Sequence, residues 1–162
     1  MILFLLPSCF SRVVRPDNTG VGTGTVDNIF RTGPLDFEVL SVQAVSSYAQ
    51  IAPLEGDRFI DIHIALTNTT DSNLVLRDTD FQLQWGSGEL GGFSDPMVAL
   101  DNTMAPLEIT LEAGKRIEYH YVFSTPKAVN KFSLCYLRER EEVSSSAYAE
   151  NPTAIFYVEF TV

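Results

Sequence analysis

Two histidines have the most chemistry to offer in this chain. His63 follows Asp61 by two residues in Phe59-Ile60-Asp61-Ile62-His63-Ile64, and His120 follows Glu118 by two in Ile117-Glu118-Tyr119-His120-Tyr121. Imidazole is a ligand for zinc and copper. On an extended strand, a carboxylate two positions away lies on the same side as the ring, within reach of the same ion. If the two segments meet, His63, His120, Asp61 and Glu118 make a transition-metal site. If they do not, these are two separate surface histidines.

The other candidates fail on spacing or partners. Ser124-Thr125-Pro126-Lys127 has the Ser-x-x-Lys interval, but that nucleophile needs the first turn of a helix to bring the lysine back to the serine. Here Pro126 ends a strand-like run. Asp78-Thr79-Asp80 offers two carboxylates where calcium takes six to eight oxygens, and reads as a solvated strand entry. Glu139, Glu141 and Glu142, interleaved with Arg138 and Arg140, read as a charged loop. Gly20-x-Gly22-x-Gly24 lacks the preceding strand and following helix of a phosphate cradle. No nucleophile, base and orienting group fall together, which leaves catalysis without a candidate.

Composition narrows the class. The chain has 162 residues, 11 Lys plus Arg against 21 Asp plus Glu, and a formal charge of -10. One domain is expected at this length, with 45% hydrophobic residues to form its core. Nucleic acid is excluded as a partner, because binding it needs a basic stripe that is missing here.

Leu6-Pro7-Ser8-Cys9 resembles a bacterial lipobox, in which a branched residue and a small residue precede a cysteine that is lipidated after cleavage. On that resemblance residues 1–9 are the end of a signal and Cys9 carries the lipid; the competing reading is a plain apolar N-terminus. Residues 10–34 carry Pro16, Gly20, Gly22, Gly24 and Gly33 among Asp, Asn and Thr with no apolar period, which reads as a flexible tether. Residues 35–162 are then the folded domain and hold a net charge of -11. The second cysteine, Cys135, falls in phase with Ser133 and Leu137 and opposite Phe132, Leu134 and Tyr136, so it is placed outside the principal core as an unpaired thiol. A Cys9–Cys135 bridge is the alternative.

The elements that must position these groups are strands. Ile60, Ile62, Ile64 and Leu66 share one side of Arg58–Thr67 while Asp61, His63, Ala65 and Thr67 share the other, the two-residue period of a strand with one buried face. Phe37 and Val39 alternate in one phase and Leu40, Val42 and Ala44 in the other, which predicts a bulge between them. Phe81/Leu83/Trp85, Leu107/Ile109/Leu111, Ile117/Tyr119/Tyr121/Phe123, Phe132/Leu134/Tyr136 and Phe156/Val158/Phe160 supply the other inward sets. Asp95-Pro96 is able to open a short helical turn running to Asn102. Several short strands separated by Gly and Pro imply an all-β, two-sheet, mostly antiparallel sandwich with little helix.

Gly33-Pro34-Leu35-Asp36-Phe37-Glu38-Val39, the run from Phe59 to Asp71, and Leu111-Glu112-Ala113-Gly114-Lys115 leading to Tyr121-Val122-Phe123-Ser124-Thr125-Pro126 together resemble a bacterial family of secreted immunoglobulin-like domains of unknown function. That family is related in fold to an immunoprotective extracellular antigen and commonly follows a lipobox and a tether. The resemblance implies that Arg58–Thr67 and Ile117–Phe123 are antiparallel neighbours, which centres His63 on His120 on the outer face. It also implies an extracytoplasmic address, as a membrane-anchored lipoprotein or a secreted protein. The function expected is a non-enzymatic binding or interaction module of the bacterial envelope with no cofactor, contacting an envelope or extracellular partner through the Gly-rich segment around Trp85 and Phe93. The alternative is a copper or zinc carrier using the histidines.

Overall fold

A computed structural model describes residues 11–86, 91–139 and 153–162. Twelve strands follow in chain order: β1 (Val13–Val14), β2 (Val21–Thr25), β3 (Ile29–Arg31), β4 (Leu35–Val45), β5 (Asp57–Asn68), β6 (Leu74–Arg77), β7 (Phe81–Trp85), β8 (Gly92–Ser94), β9 (Glu108–Leu111), β10 (Arg116–Pro126), β11 (Lys131–Glu139) and β12 (Thr153–Thr161). One sheet runs β1-β3-β4-β5-β10, the second β2-β12-β11-β7-β8, and β6 pairs with β9 at the side. The fold is an immunoglobulin-like sandwich, antiparallel except for the β1–β3 and β2–β12 pairs. The single helical element among the described residues is a 3-10 turn at Asp78–Asp80.

Alternation explains the assembly. Ile60, Ile62, Ile64 and Leu66 of β5 are fully buried, as are Tyr121 and Phe123 of β10, Leu83 of β7, Leu134 of β11 and Val158 of β12. Aromatic rings join the two layers: Phe37 of β4 lies 5.5 Å from Phe81, 5.4 Å from Tyr136 and 6.2 Å from Phe156, all three in the opposite sheet. Such pairs add about 0.5–1.5 kcal/mol each beyond the area they bury. The phase change in β4 is a bulge: Val39 pairs with Ile64 and Ser41 with His63, so Leu40 is the extra residue. Beyond it Val42 and Ala44 face Ile62 and Ile60.

Four expectations need correction. The expected tether over residues 10–34 does not hold, for residues 11–34 carry β1, β2 and β3, and Val14 and Phe30 belong to the main core. The glycines that imitate a linker are there for close approach. A Cβ on Gly22 would stand 2.6 Å from Phe156 Cδ1, and one on Gly24 2.8 Å from Val14 Cγ2. The folded unit therefore starts well before Leu35. Residues 95–102 are not helical; Met97 N–H donates to Val122 O, which fastens the segment along the edge of β10. Leu107 lies before β9 and is exposed. Finally, β5 is not wet on its outer side throughout. Phe59 and Val122 are buried there beneath Met104, with Met97, Ala99, Val45 and Tyr48 packed around them in a second, smaller core.

Phe30 separates tether from strand in one measurement. It stacks on Phe37 at 4.8 Å and meets Phe156 edge-on at 6.4 Å, so Phe30→Ala is expected to lower the urea-unfolding free energy by about 3–5 kcal/mol. An unchanged midpoint would return residues 10–34 to the status of a linker.

Candidate functional site

The strand register brings the two histidines together. In the β5–β10 ladder His120 is the partner of His63, with Tyr119 opposite Ile64 and Tyr121 opposite Ile62. The inward isoleucines and Tyr121 fix that register, because a one-residue slip would turn the whole apolar set outward. The imidazoles stack with centroids 4.6 Å apart and planes inclined by 2°, and their side chains are 28% and 29% exposed.

Each ring has its own carboxylate, reached diagonally across the ladder. His120 Nδ1 stands 2.7 Å from Asp61 Oδ1. An ionised carboxylate only accepts, so in the neutral imidazole this nitrogen carries the proton and Nε2 is the one with the lone pair. Asp61 is buried and also accepts from Gln43 Nε2 at 3.0 Å. His63 Nε2 approaches Glu118 Oε2 at 3.2 Å, and Glu118 is 45% exposed. Arg116 closes the far end, 3.5 Å from both Glu118 and Glu38. The result is a ladder of alternating groups, Glu38, Arg116, Glu118, His63, His120, Asp61 and Gln43, laid across three strands. Asp61 is held inward against its ring while Glu118 stays open to solvent, so the two imidazoles are anchored unequally.

One edge of this site was invisible in the sequence. His120 N–H donates to Thr103 O at 2.9 Å, and its carbonyl accepts from Ala105 N–H at 3.0 Å. Met104 is thereby the bridge partner of His120. Asp101 shapes the approach by accepting from Thr103 N–H, Thr103 Oγ1 and Met104 N–H. These bonds, largest first from the Thr103 hydroxyl, hold the Asp101 carboxyl below its ordinary range. Segment 97–105 has no apolar period, so only pairing with a strand remote in sequence reveals its position.

What the arrangement can do follows from ring orientation. Lone pairs lie in the ring plane, so two stacked rings direct theirs within separate parallel planes; one ion can meet both squarely only after a ring turns. Among the described residues, no group of three or more His, Cys, Asp and Glu is arranged to hold a metal. Elsewhere, Asp78 is buried at the 3-10 turn, where desolvation pushes its carboxyl up, and it accepts from Thr79 N–H. Asp80 accepts from Arg77 N–H. Both are committed to the turn. Ser124 Oγ donates to Asp57, and Ser124 through Pro126 lie in β10 with no helical turn to return Lys127.

On the second sheet Phe93 pairs with Gln84 and is 64% exposed, in a cross-strand row with Ser133 and Glu159. Trp85 pairs with Gly92, where a Cβ would stand 2.6 Å from the indole, and meets Phe132 edge-on at 6.3 Å. Neighbouring positions thus present Phe93 and Trp85 to opposite sides. An open depression of about 540 Å³ beside Trp85 is walled by Gln84, Lys131, Tyr157, Glu159 and Phe160. Cys135 lies outside both apolar cores but is 6% exposed, and burial pushes its thiol up to about 11. Cys9, Arg140, Glu141 and Glu142 lie outside the described residues.

No protein-family model matches the chain, and no curated protein matches it. Solved structures match it in fold. The YjhA protein from Bacillus subtilis is 16% identical, with a TM-score of 0.61 over 83% of this chain and 99% of that one. A second Bacillus subtilis protein, YcdA, described as a candidate lipoprotein, is 16% identical with a TM-score of 0.55; the match takes in 79% of this chain but 37% of that one. A functionally unknown protein from Listeria monocytogenes is 12% identical with a TM-score of 0.55 over 80% of this chain and 78% of its own. At these identities the likeness is one of fold.

Cys135 offers a direct check on burial. A thiol raised to about 11 has roughly one hundredth of the thiolate of an ordinary cysteine at pH 8. In a Cys9→Ser background, Cys135 is expected to react with Ellman's reagent about a hundredfold more slowly in the native protein than after denaturation; equal rates would show it exposed.

Proposed function

We propose that this protein is a non-enzymatic binding module held outside the cytoplasm of a bacterium, anchored through a lipid on Cys9 or secreted. The observation that carries this reading is Phe93, a large aromatic side chain left exposed on a rigid sheet beside the Gln84, Ser133 and Glu159 row. Exposed aromatics amid polar neighbours are the usual anchors of protein contacts. The depression beside Trp85 adds amide, hydroxyl and charged groups at the rim of the same sheet. The lipobox-like Leu6-Pro7-Ser8-Cys9, the resemblance to secreted immunoglobulin-like domains and the candidate lipoprotein among the fold neighbours support the address.

Two measurements test it. Mass spectrometry of the protein from its native host is expected to find a diacylglyceryl-modified Cys9 at the mature N-terminus; an unmodified, uncleaved Met1 would remove the anchor. Cross-linking in intact envelopes is expected to capture a partner that the Phe93→Ser protein loses while its unfolding free energy stays within about 0.5 kcal/mol. Capture unaffected by Phe93→Ser would move the contact elsewhere.

A second reading is a transition-metal carrier, favoured by the meeting of His63 and His120 in register with a carboxylate behind each ring. Metal-bound imidazole commonly gives its other nitrogen to a carboxylate. Zinc or copper titration is then expected to broaden both imidazole resonances together and His63→Ala to abolish the effect; no binding above background removes this reading.

A further inference from the structure

We propose that the imidazole row is a monovalent-copper site whose third donor is the thioether of Met104. The proposal rests on the transition-metal reading and names the ion it serves.

The row is continuous across four lanes. Ser41 of β4 pairs with His63, His63 with His120, and His120 with Met104. Neighbouring strands lie about 4.8 Å apart, so residues in one row project side chains side by side. Met104 is confirmed on the outer face by its packing, since it is buried against Phe59 and Val122 of that face. Its sulfur accepts from Leu100 N–H at 3.3 Å, a weak bond that leaves a second lone pair.

The two rings are not equally fixed. His120 is pinned by the buried Asp61, which Gln43 holds in turn, so its Nε2 is the pre-set ligand. His63 leans on an exposed glutamate at the longer distance of 3.2 Å. His63 is therefore the ring that turns out of the stack to bring its nitrogen onto the same ion, and Glu118 is free to follow it.

The donor set selects the metal. Two imidazoles and a thioether make a soft set, and thioether sulfur favours monovalent copper over zinc. Structural zinc takes four N, S or O ligands, with the sulfur supplied as thiolate. Asp61 is occupied holding His120, and no cysteine stands in the row. Glu38, Glu118, Asp61 and Asp101 outnumber Arg116, which is paired with the first two, so the carboxylates around the row favour a cation. Met97, the other methionine of the small core, bonds alongside Val122 rather than His120, which makes it the natural control.

The test is competitive titration of the full chain with monovalent copper under anaerobic conditions, bicinchoninate as competitor, in a Cys9→Ser background so that its thiol does not compete. One copper per chain is expected. Met104→Leu keeps the volume and should leave the fold intact. It is expected to weaken copper by about tenfold or more, since a donor matters at least as much as the groups that orient it. Met97→Leu should leave affinity unchanged, and His120→Gln should abolish binding. X-ray absorption of the loaded protein should show one sulfur scatterer, lost in Met104→Leu. Copper affinity unchanged by Met104→Leu but lost with His120→Gln overturns the thioether and leaves the metal reading standing. Binding of neither copper nor zinc overturns both.

Discussion

The placement of β5 between β4 and β10 is the constraint on which the rest depends. Ile60, Ile62, Ile64 and Leu66 must enter the core, and that demand alone turns Asp61 and His63 to the opposite side. The inward tyrosines and phenylalanine of β10 impose the same condition on Glu118 and His120. Once both apolar sets face inward, the polar residues have a fixed order across the sheet. The β4 bulge is needed for the same reason: were Leu40 to take a regular place in the ladder, Val42 and Ala44 would face outward, and Gln43 would not sit beside Asp61.

Groups beyond the ladder then tie the outer face to the rest of the molecule. Segment 97–105 donates to and accepts from β10 and lays Met97, Ala99 and Met104 over Phe59 and Val122. The outer face of the first sheet is thus part apolar and covered, part polar and half open. The imidazoles occupy the boundary, shielded enough to hold a stack and a diagonal pairing with carboxylates, yet reachable from solvent.

Much of this was legible from the chain and some was not. Strict alternation in Arg58–Thr67 and Ile117–Phe123 gave the strands and the inward residues, because a period of two leaves little freedom once one face is apolar; the opposition of His63 to His120 rested on the resemblance, which made the two strands neighbours. The phase shift between Val39 and Leu40 announced the bulge. Gly22 and Gly24 misled because the composition that makes a linker flexible is also the one that lets a strand lie flush against Phe156 and Val14. Met104 could not be placed because its partner His120 lies sixteen residues on, across a segment with no repeating pattern. Trp85 and Phe93 were read as one surface; adjacent positions on paired strands alternate, so they part to opposite sides.

The parallel seam between β2 and β12 has a consequence for how the molecule comes into being. Val21–Thr25 lies in register with Ile155–Glu159, a separation of 134 residues. A ribosome delivers the first of these partners long before the second, so the early strand has no ladder partner until a segment 134 residues further along has emerged. Closing so wide a loop is slow. Phe30 and Val14, placed beside that seam, stay without their full cover in the interim, so apolar surface is left open to water until Phe156 arrives.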